Sequence, residues 1–292
     1  MIDQNVGKAY HPPAKSLEGT FVETQDALVR EHFQIAATFW EDIYSQNDVY
    51  AAIHQQRRAA VLSFVDRLAL PRKSEVLDIG CGAGSISVAL ASRGLSVKAV
   101  DQVPRMLELT NRLALQAGVS KNIATSVGNI HHLAFPDSSF SAALAIGVLP
   151  WLSVYETPLR EIARVVKPGG YIVINIDNRW ALHRLLNPGM NFMLTPLKSA
   201  TARMLNVFVS RKPAPTNTTM SVKRFHHLLR SRGFEPLQGV MFGFGPFSLF
   251  QHCLLPDSLS LTLHRKLQEL CDRGAPPISH MGAQYLVLAQ KQ

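Results

Sequence analysis

Cysteine is scarce: Cys81, Cys253 and Cys271 are the only three in 292 residues, and they lie far apart. No C-x-x-C pair and no Cys/His ligand spacing exists, so no metal site is expected. Long apolar runs are missing too; none reaches the roughly 18 residues of a membrane span. The opening M-I-D-Q-N-V-G-K-A-Y lacks the basic-then-apolar pattern of a signal peptide, which makes a cytoplasmic protein the expectation. Internal repeats and low-complexity tracts are absent. So is the dinucleotide fingerprint G-x-G-x-x-G. Acid is absent from one long stretch, Asn178–Phe234, which holds ten Lys and Arg against a chain total of +9. The rest of the chain therefore sums to about −1, and the basic stretch suits an anionic partner or a solvated face.

What is present is enough for a core. Hydrophobic residues make up 47% of the chain, sufficient for one large α/β domain with an elaboration or two small ones. The organising stretch is Val76–Gly84, V-L-D-I-G-C-G-A-G. Val76, Leu77 and Ile79 read as a buried strand, and Asp78 places a carboxylate near its end. Gly80, Gly82 and Gly84 make a turn that side chains would block. Ile86, Val88, Ala89 and Leu90 then follow at helical spacing, with Gly94 as the stop. A second strand, Leu95–Val100, ends in Asp101. An acid some 20 residues past a glycine loop, at the tip of the neighbouring strand, is placed to accept both hydroxyls of a ribose.

Asp78, Gly80, Gly82 and Gly84 match, position for position, the D-x-G-x-G-x-G motif of the class I S-adenosylmethionine-dependent methyltransferases, which this stretch resembles. The resemblance implies an α/β fold: a doubly wound, Rossmann-like, seven-stranded and mostly parallel sheet whose last strand is antiparallel. It implies S-adenosylmethionine as cofactor and S-adenosylhomocysteine as product, with Asp78, Gly80, Cys81, Gly82, Gly84, Asp101 and Gln102 facing the cofactor. Cys81 reads as a small packing residue within the loop, not a nucleophile. In Gly128–Phe140 the family's usual acid, which contacts the adenine amino group, is replaced by Asn129. Its side-chain carbonyl can still accept that bond, and Ile130 can pack on the purine. Ile146 and Gly147 stand where the family's backbone approaches the methionine portion. The unit from Pro158 to Ile176, with K-P-G-G expected as a turn into the fifth strand, also resembles the family. An N-P-P-Y motif of amine methylases is missing, so Trp151 in L-P-W-L is expected to border a substrate pocket or anchor the next helix. The resemblance is strong over Val61–Ile176 and weak over the final strands, near Glu235–Phe242 and Gln284–Ala289.

Four regions follow. Residues 1–70 form an arm and a helical lid, whose Trp40, Tyr44 and Tyr50 are candidates to wall off the cofactor's methionine end or the substrate. Residues 71–177 are the cofactor-binding core. Residues 178–234 are a basic helical insertion, with a helix starting at Trp180 and another capped by Ser221. Residues 235–292 return the last strands around an inserted G-F-G-P-F and a helix near Ser258–Arg273.

Methyl transfer from a sulfonium mainly needs positioning and exclusion of water; a base is needed only if the acceptor must lose a proton. Histidine is the natural base. His183, just past the fifth strand, ranks first by position; one of His131 and His132, and His252, are the other candidates. The expected acceptor is a small or lipid-like organic molecule bearing an anion, methylated on oxygen or carbon, with Arg203 of the basic stretch as a candidate contact. Peripheral membrane contact through that stretch is a second use for it. Nucleic acid is the least favoured partner, since few aromatics interleave the cations and no RNA module is recognisable. An RNA methyltransferase and a non-catalytic cofactor-binding protein remain the rival functions.

Overall fold

The computed structural model describes residues 17–43, 46–194, 215–249 and 252–292. Its first strand, β1 (Glu75–Ile79), is apolar on both sides because both faces of the sheet are covered. β2 (Ser96–Asp101) and β3 (Ile123–Val127) extend the sheet to one side. β4 (Phe140–Ala145) and β5 (Val166–Asp177) extend it to the other, all in parallel. β6 (Phe234–Phe242) precedes a separate two-strand ribbon, β7 (Ser248–Leu249) and β8 (His252–Cys253). The final strand, β9 (Gln284–Lys291), inserts antiparallel between β5 and β6. The seven-stranded order is β3-β2-β1-β4-β5-β9-β6. Strand order reverses between β1 and β4, and open α/β sheets bind ligands at the carboxyl ends of strands beside such a point.

Helices α1 (Leu17–Ile35), α2 (Ala37–Asp42) and α3 (Val49–Arg67) precede the sheet. Asp48 starts α3 by accepting from Ala51 N at 2.8 Å. α4 (Ser85–Ser92) and α5 (Pro104–Gln116) join α3 on one face of the sheet, where Phe64, Val65 and Leu90 are buried against Val76 and Leu144. α6 (Glu156–Val165) covers the other face with Leu159 and Ile162. α7 (Leu182–Leu186) follows β5, and α8 (Val222–Arg230) adds Phe225 and Leu229 to the same face as α6. Each of these buried side chains contributes roughly 1.5–3 kcal/mol. α9 (Asp257–Asp272) packs beside α3 and holds the G-F-G-P-F loop, with Gln268 Oε1 accepting from Gly243 N at 3.1 Å. No helix among the described residues is long and apolar enough to cross a membrane.

Two local expectations need correction. K-P-G-G does not stand as a turn before β5: the strand runs through it, and the register moves from Phe140↔Val166 to Ala142↔Tyr171. Two residues of advance on β4 thus oppose five on β5, a bulge that absorbs Lys167–Gly170. The helix expected from Trp180 begins at Leu182, because Asn178 Oδ1 draws Trp180 N into a turn at 3.1 Å. Ser221 caps α8 as expected, accepting from Arg224 N at 3.4 Å. Tyr44, Arg203 and all of residues 195–214, which include most of the apolar, cation-dotted stretch 190–210, lie outside the described residues.

Gly84 is the point where α4 meets α5. Its φ is +84°, and a Cβ there would lie 2.8 Å from Thr110 Cα and 2.7 Å from Thr110 Oγ1. Gly84→Ala should therefore cost about 2–4 kcal/mol from backbone strain and overpacking. Truncating Thr110 to Ala in the same chain should recover only part of this, since the backbone contact stays. Urea unfolding of both variants checks it; a loss below about 1 kcal/mol would contradict so close an approach.

Candidate functional site

At the carboxyl end of β1 the chain turns sharply and hangs itself on β2. Gly80 N and Cys81 N both donate to Val100 O, at 2.7 and 3.1 Å. Gly82 N donates to Asp101 Oδ2 at 2.9 Å. Three successive amides are thus spent on β2, so the loop offers bare backbone to a ligand and not a nest of N–H groups for a phosphate. The other carboxylate oxygen, Asp101 Oδ1, accepts from Val103 N at 2.9 Å. An ionised carboxylate has about four acceptor positions, and the amides of Gly82, Val103 and Gln102 draw on it, which leaves at least one for a ligand. Burial raises the Asp101 pKa, opposed by the amides of Val103, Gly82 and Gln102. Thr110 of α5 supports the loop from below, its hydroxyl donating to Gly82 O at 2.9 Å.

These residues floor a cavity of about 660 Å³. Its roof is α1, whose Asp26, Val29, His32 and Phe33 recur at the spacing of one helix face. Gln25 fastens that roof. Only 4% exposed, it donates from Nε2 to Trp151 O at 3.1 Å and to Thr216 O at 2.9 Å, while its Oε1 accepts from Thr216 N and Oγ1 at 3.2 Å each. Trp151 packs edge-on against Phe33, ring centres 5.3 Å apart, and Trp40 lies between Phe33 and His54.

The far end of the cavity is polar. α3 presents Tyr50, Ile53, His54 and Arg57 on one face. Arg57 is 9% exposed, lies against Gly147, and has no hydrogen-bond or ion-pair partner among the described residues. Asp177 closes β5 and pairs with Arg184 at 3.2 Å, while Gln284 Nε2 donates to its other oxygen at 3.1 Å. Burial raises the Asp177 pKa against the pull of Arg184. Burial and then Arg184 push His183 down to about 4; burial and then Arg57 push His54 down to about 3. Both imidazoles are neutral at pH 7. Among the described residues, His54 Nδ1, His183 Nδ1, Arg184 Nε and Gln284 Oε1 are buried atoms without a hydrogen-bond partner. Polar atoms left this way in a cavity wall mark a surface shaped for a ligand.

Of the residues singled out from sequence, Asp78, Gly80, Cys81, Gly82, Asp101, Gln102, Asn129, Ile130, Ile146, Tyr50, Trp40, Trp151 and His183 all line this cavity. Gly84 does not; it faces Thr110 instead. His132 is exposed on the loop after β3 and stays outside the cavity. Asn129 is differently employed than expected: its Oδ1 accepts from His131 N at 3.0 Å and its Nδ2 donates to Asp26 Oδ2 at 2.9 Å. Cys81 is buried, its thiol pKa raised well above normal chiefly by burial, and its sulfur rests 3.7 Å from Thr110 Oγ1. Sequence reasoning missed Asp26, His54, Arg57, Asp177, Asn217 and Gln284. His54 and Arg57 left a signal: they interrupt the apolar stripe that Ile53, Val61, Phe64 and Val65 continue along α3. The other four are brought together only by the fold.

Asp78 is 2% exposed, and its Oδ2 accepts from Ser87 Oγ at 2.6 Å. Burial raises its pKa from 3.8 to about 6, against the Ser87 bond. Between those values the native state keeps a proton that the unfolded chain has released, so stability falls as pH rises through this window. The shift corresponds to about 3 kcal/mol above pH 6. Asp78→Asn should therefore be more stable than the parent at pH 7–8, with the difference shrinking toward pH 4.5. Denaturant titrations across that range check it; a constant difference would show that Asp78 carries no such cost.

Residues 77–174 match the family model described as a methyltransferase domain. A sterol 4-C-methyltransferase of Caenorhabditis elegans is 30% identical over 109 residues, covering 37% of this chain and 33% of that protein. A ubiquinone biosynthesis O-methyltransferase of Paracidovorax citrulli is 28% identical over 205 residues, covering 70% of this chain and 82% of that one. Magnesium protoporphyrin IX methyltransferase of Synechocystis, solved with bound S-adenosylhomocysteine, superposes with a TM-score of 0.61 at 16% identity over 91% of this chain and 100% of that one. Residues 77–174 thus match a methyltransferase domain, and the seven strands in the order described carry the fold of the class I S-adenosylmethionine-dependent methyltransferases.

Proposed function

We propose that the protein transfers a methyl group from S-adenosylmethionine to a small organic acceptor, on oxygen or carbon, and that the acceptor carries an anionic group. The observation that carries this reading is a single cavity with two unlike ends. Near the glycine loop it is lined by bare backbone and a carboxylate with acceptor capacity to spare. At the other end it is lined by buried polar atoms with no partner. The first end suits an adenosine; the second remains for the reacting groups. The curated relatives support a small acceptor, since one acts on a sterol and another in ubiquinone biosynthesis.

The residues fit the cofactor. Asp101 keeps acceptor capacity for a ribose hydroxyl, and Ile130 offers an apolar face for a purine. Arg57, buried and unpaired beside Gly147, suits the carboxylate of the amino-acid end. When bound, S-adenosylmethionine supplies a methyl group on a sulfonium that is already a good leaving group. The chain's own work is to align the acceptor and exclude water, which Trp40, Phe33 and Trp151 do under α1. Arg184, held by Asp177, takes the acceptor's anion. His183 enters neutral and accepts the acceptor's proton at Nδ1 as the new bond forms, when that proton has become far more acidic than an imidazolium's.

Asp101→Ala should weaken S-adenosylhomocysteine binding at least tenfold, since hydrogen bonds to a charged acceptor disappear; calorimetry reads it, and unchanged affinity removes Asp101 from the site. His183→Ala should lower kcat on a hydroxyl acceptor about 10²- to 10⁴-fold while leaving that affinity within about twofold. A methyl-label transfer assay over phenolic and carboxylate-bearing acceptors supplies the rate. Because His183 titrates near 4, its protonation should add no limb to the rate profile between pH 6 and 8.

A further inference from the structure

The loop after β3 approaches the ribose-accepting Asp101, and the polar groups there are arranged unusually. Asn129 is already engaged on both ends of its amide, through His131 N and Asp26. The charged acceptor beside it comes from the roof. Asp26, on α1, lines the cavity with its carboxylate. One oxygen, Oδ2, takes the Asn129 amide at 2.9 Å. The other, Oδ1, has no hydrogen-bond donor among the described residues; His131 Nε2 lies 3.8 Å away, beyond hydrogen-bonding reach. Its side chain is 20% exposed, and Asp26 lines the cavity. A carboxylate oxygen at a cavity wall with no protein donor offers an acceptor to a ligand's donor.

We propose that Asp26 is the acceptor for the exocyclic amino group of the cofactor's adenine, so that the roof helix itself selects the base. This rests on the cofactor reading above. Asn129 then acts as a positioning residue: its Nδ2 fixes one carboxylate oxygen and leaves the other turned to the ligand. Because Gln25, the adjacent residue, fastens α1 to Trp151 and Thr216, cofactor binding and closure of the acceptor cavity become one event. A domain whose adenine acceptor sat on the sheet side would bind cofactor with the roof open; here the bound cofactor draws the roof down.

The test compares the full chain's affinity for S-adenosylhomocysteine with that for its hypoxanthine counterpart, in which a 6-oxo group replaces the amine. The parent should prefer the adenine ligand at least tenfold. Asp26→Ala should bring that ratio to within about twofold, mainly by weakening the adenine ligand. Asp26→Ala combined with Asn129→Asp, which puts an acid on the loop, should restore a preference of fivefold or more. Amide hydrogen exchange across α1 should slow on ligand binding in the parent and change little in Asp26→Ala. If Asp26→Ala weakens both ligands equally, or neither, Asp26 is not the selecting group and the proposal fails. If the parent binds neither ligand, the cofactor reading itself fails and takes this proposal with it.

Discussion

The carboxylate of Asp101 is the constraint on which the site depends. It is a side chain at the end of β2, yet it fixes the backbone that follows β1, because one oxygen holds Gly82 N and the other Val103 N. The glycine loop therefore has one position relative to two strands, and α4 and α5 leave those strands at fixed angles. Thr110 then fills the gap beneath the loop, which is why Gly84 must lack a side chain. A ribose bound here would meet an acid whose orientation the protein has already set, so little ordering remains at the moment of binding.

This part of the molecule was legible in the sequence because its signals are local. The apolar run of β1, the three glycines and the acid after β2 fall within 26 residues of one another, and strand and helix periods separate them cleanly. The seven strands, mostly parallel with an antiparallel last strand, followed from the resemblance those signals carry. Much of the remaining lining was not legible. Asp26, Asp177, Asn217 and Gln284 come from four distant segments, and no spacing connects them. Arg57 left only a faint signal, a charge in the apolar stripe of α3. Asn129 shows the same limit: its amide donates to Asp26, 103 positions earlier on α1, a partner that no local spacing announces. K-P-G-G was read as a turn because proline and glycine signal one, whereas a bulge satisfies the same backbone demands without breaking the strand.

The buried charges explain why the cavity has two characters. Asp78 and Asp101 lie within the same shielded floor; burial pushes both pKa values up, and the charge of Asp101 adds to the rise at Asp78. Hydrogen bonds from Ser87 and from loop amides offset part of that cost. At the opposite end burial, and after it Arg57 and Arg184, lower the two histidines, so both imidazoles stay neutral. Asp78 and Asp101 thus sit at the glycine-loop end, and Arg57 and Arg184, with Asp177, at the other. A ligand with hydroxyls at one end and carboxylate at the other meets complementary groups at both.

The roof has the weakest local support and the most specific fastening. α1 touches the sheet through a short stripe, and Gln25 makes four hydrogen bonds where hydrophobic contact is sparse. Polar fastening of this kind is directional: it holds in one geometry and gives little partial credit for a loosened one. Its partners, Trp151 and Thr216, belong to segments after β4 and before α8, so the roof closes only when both returns of the chain are in place. That makes closure a readout of the whole sheet's carboxyl edge. A helix held this way can open to admit an acceptor without unfolding the core, because none of its fastenings belongs to the apolar clusters that stabilise the sheet.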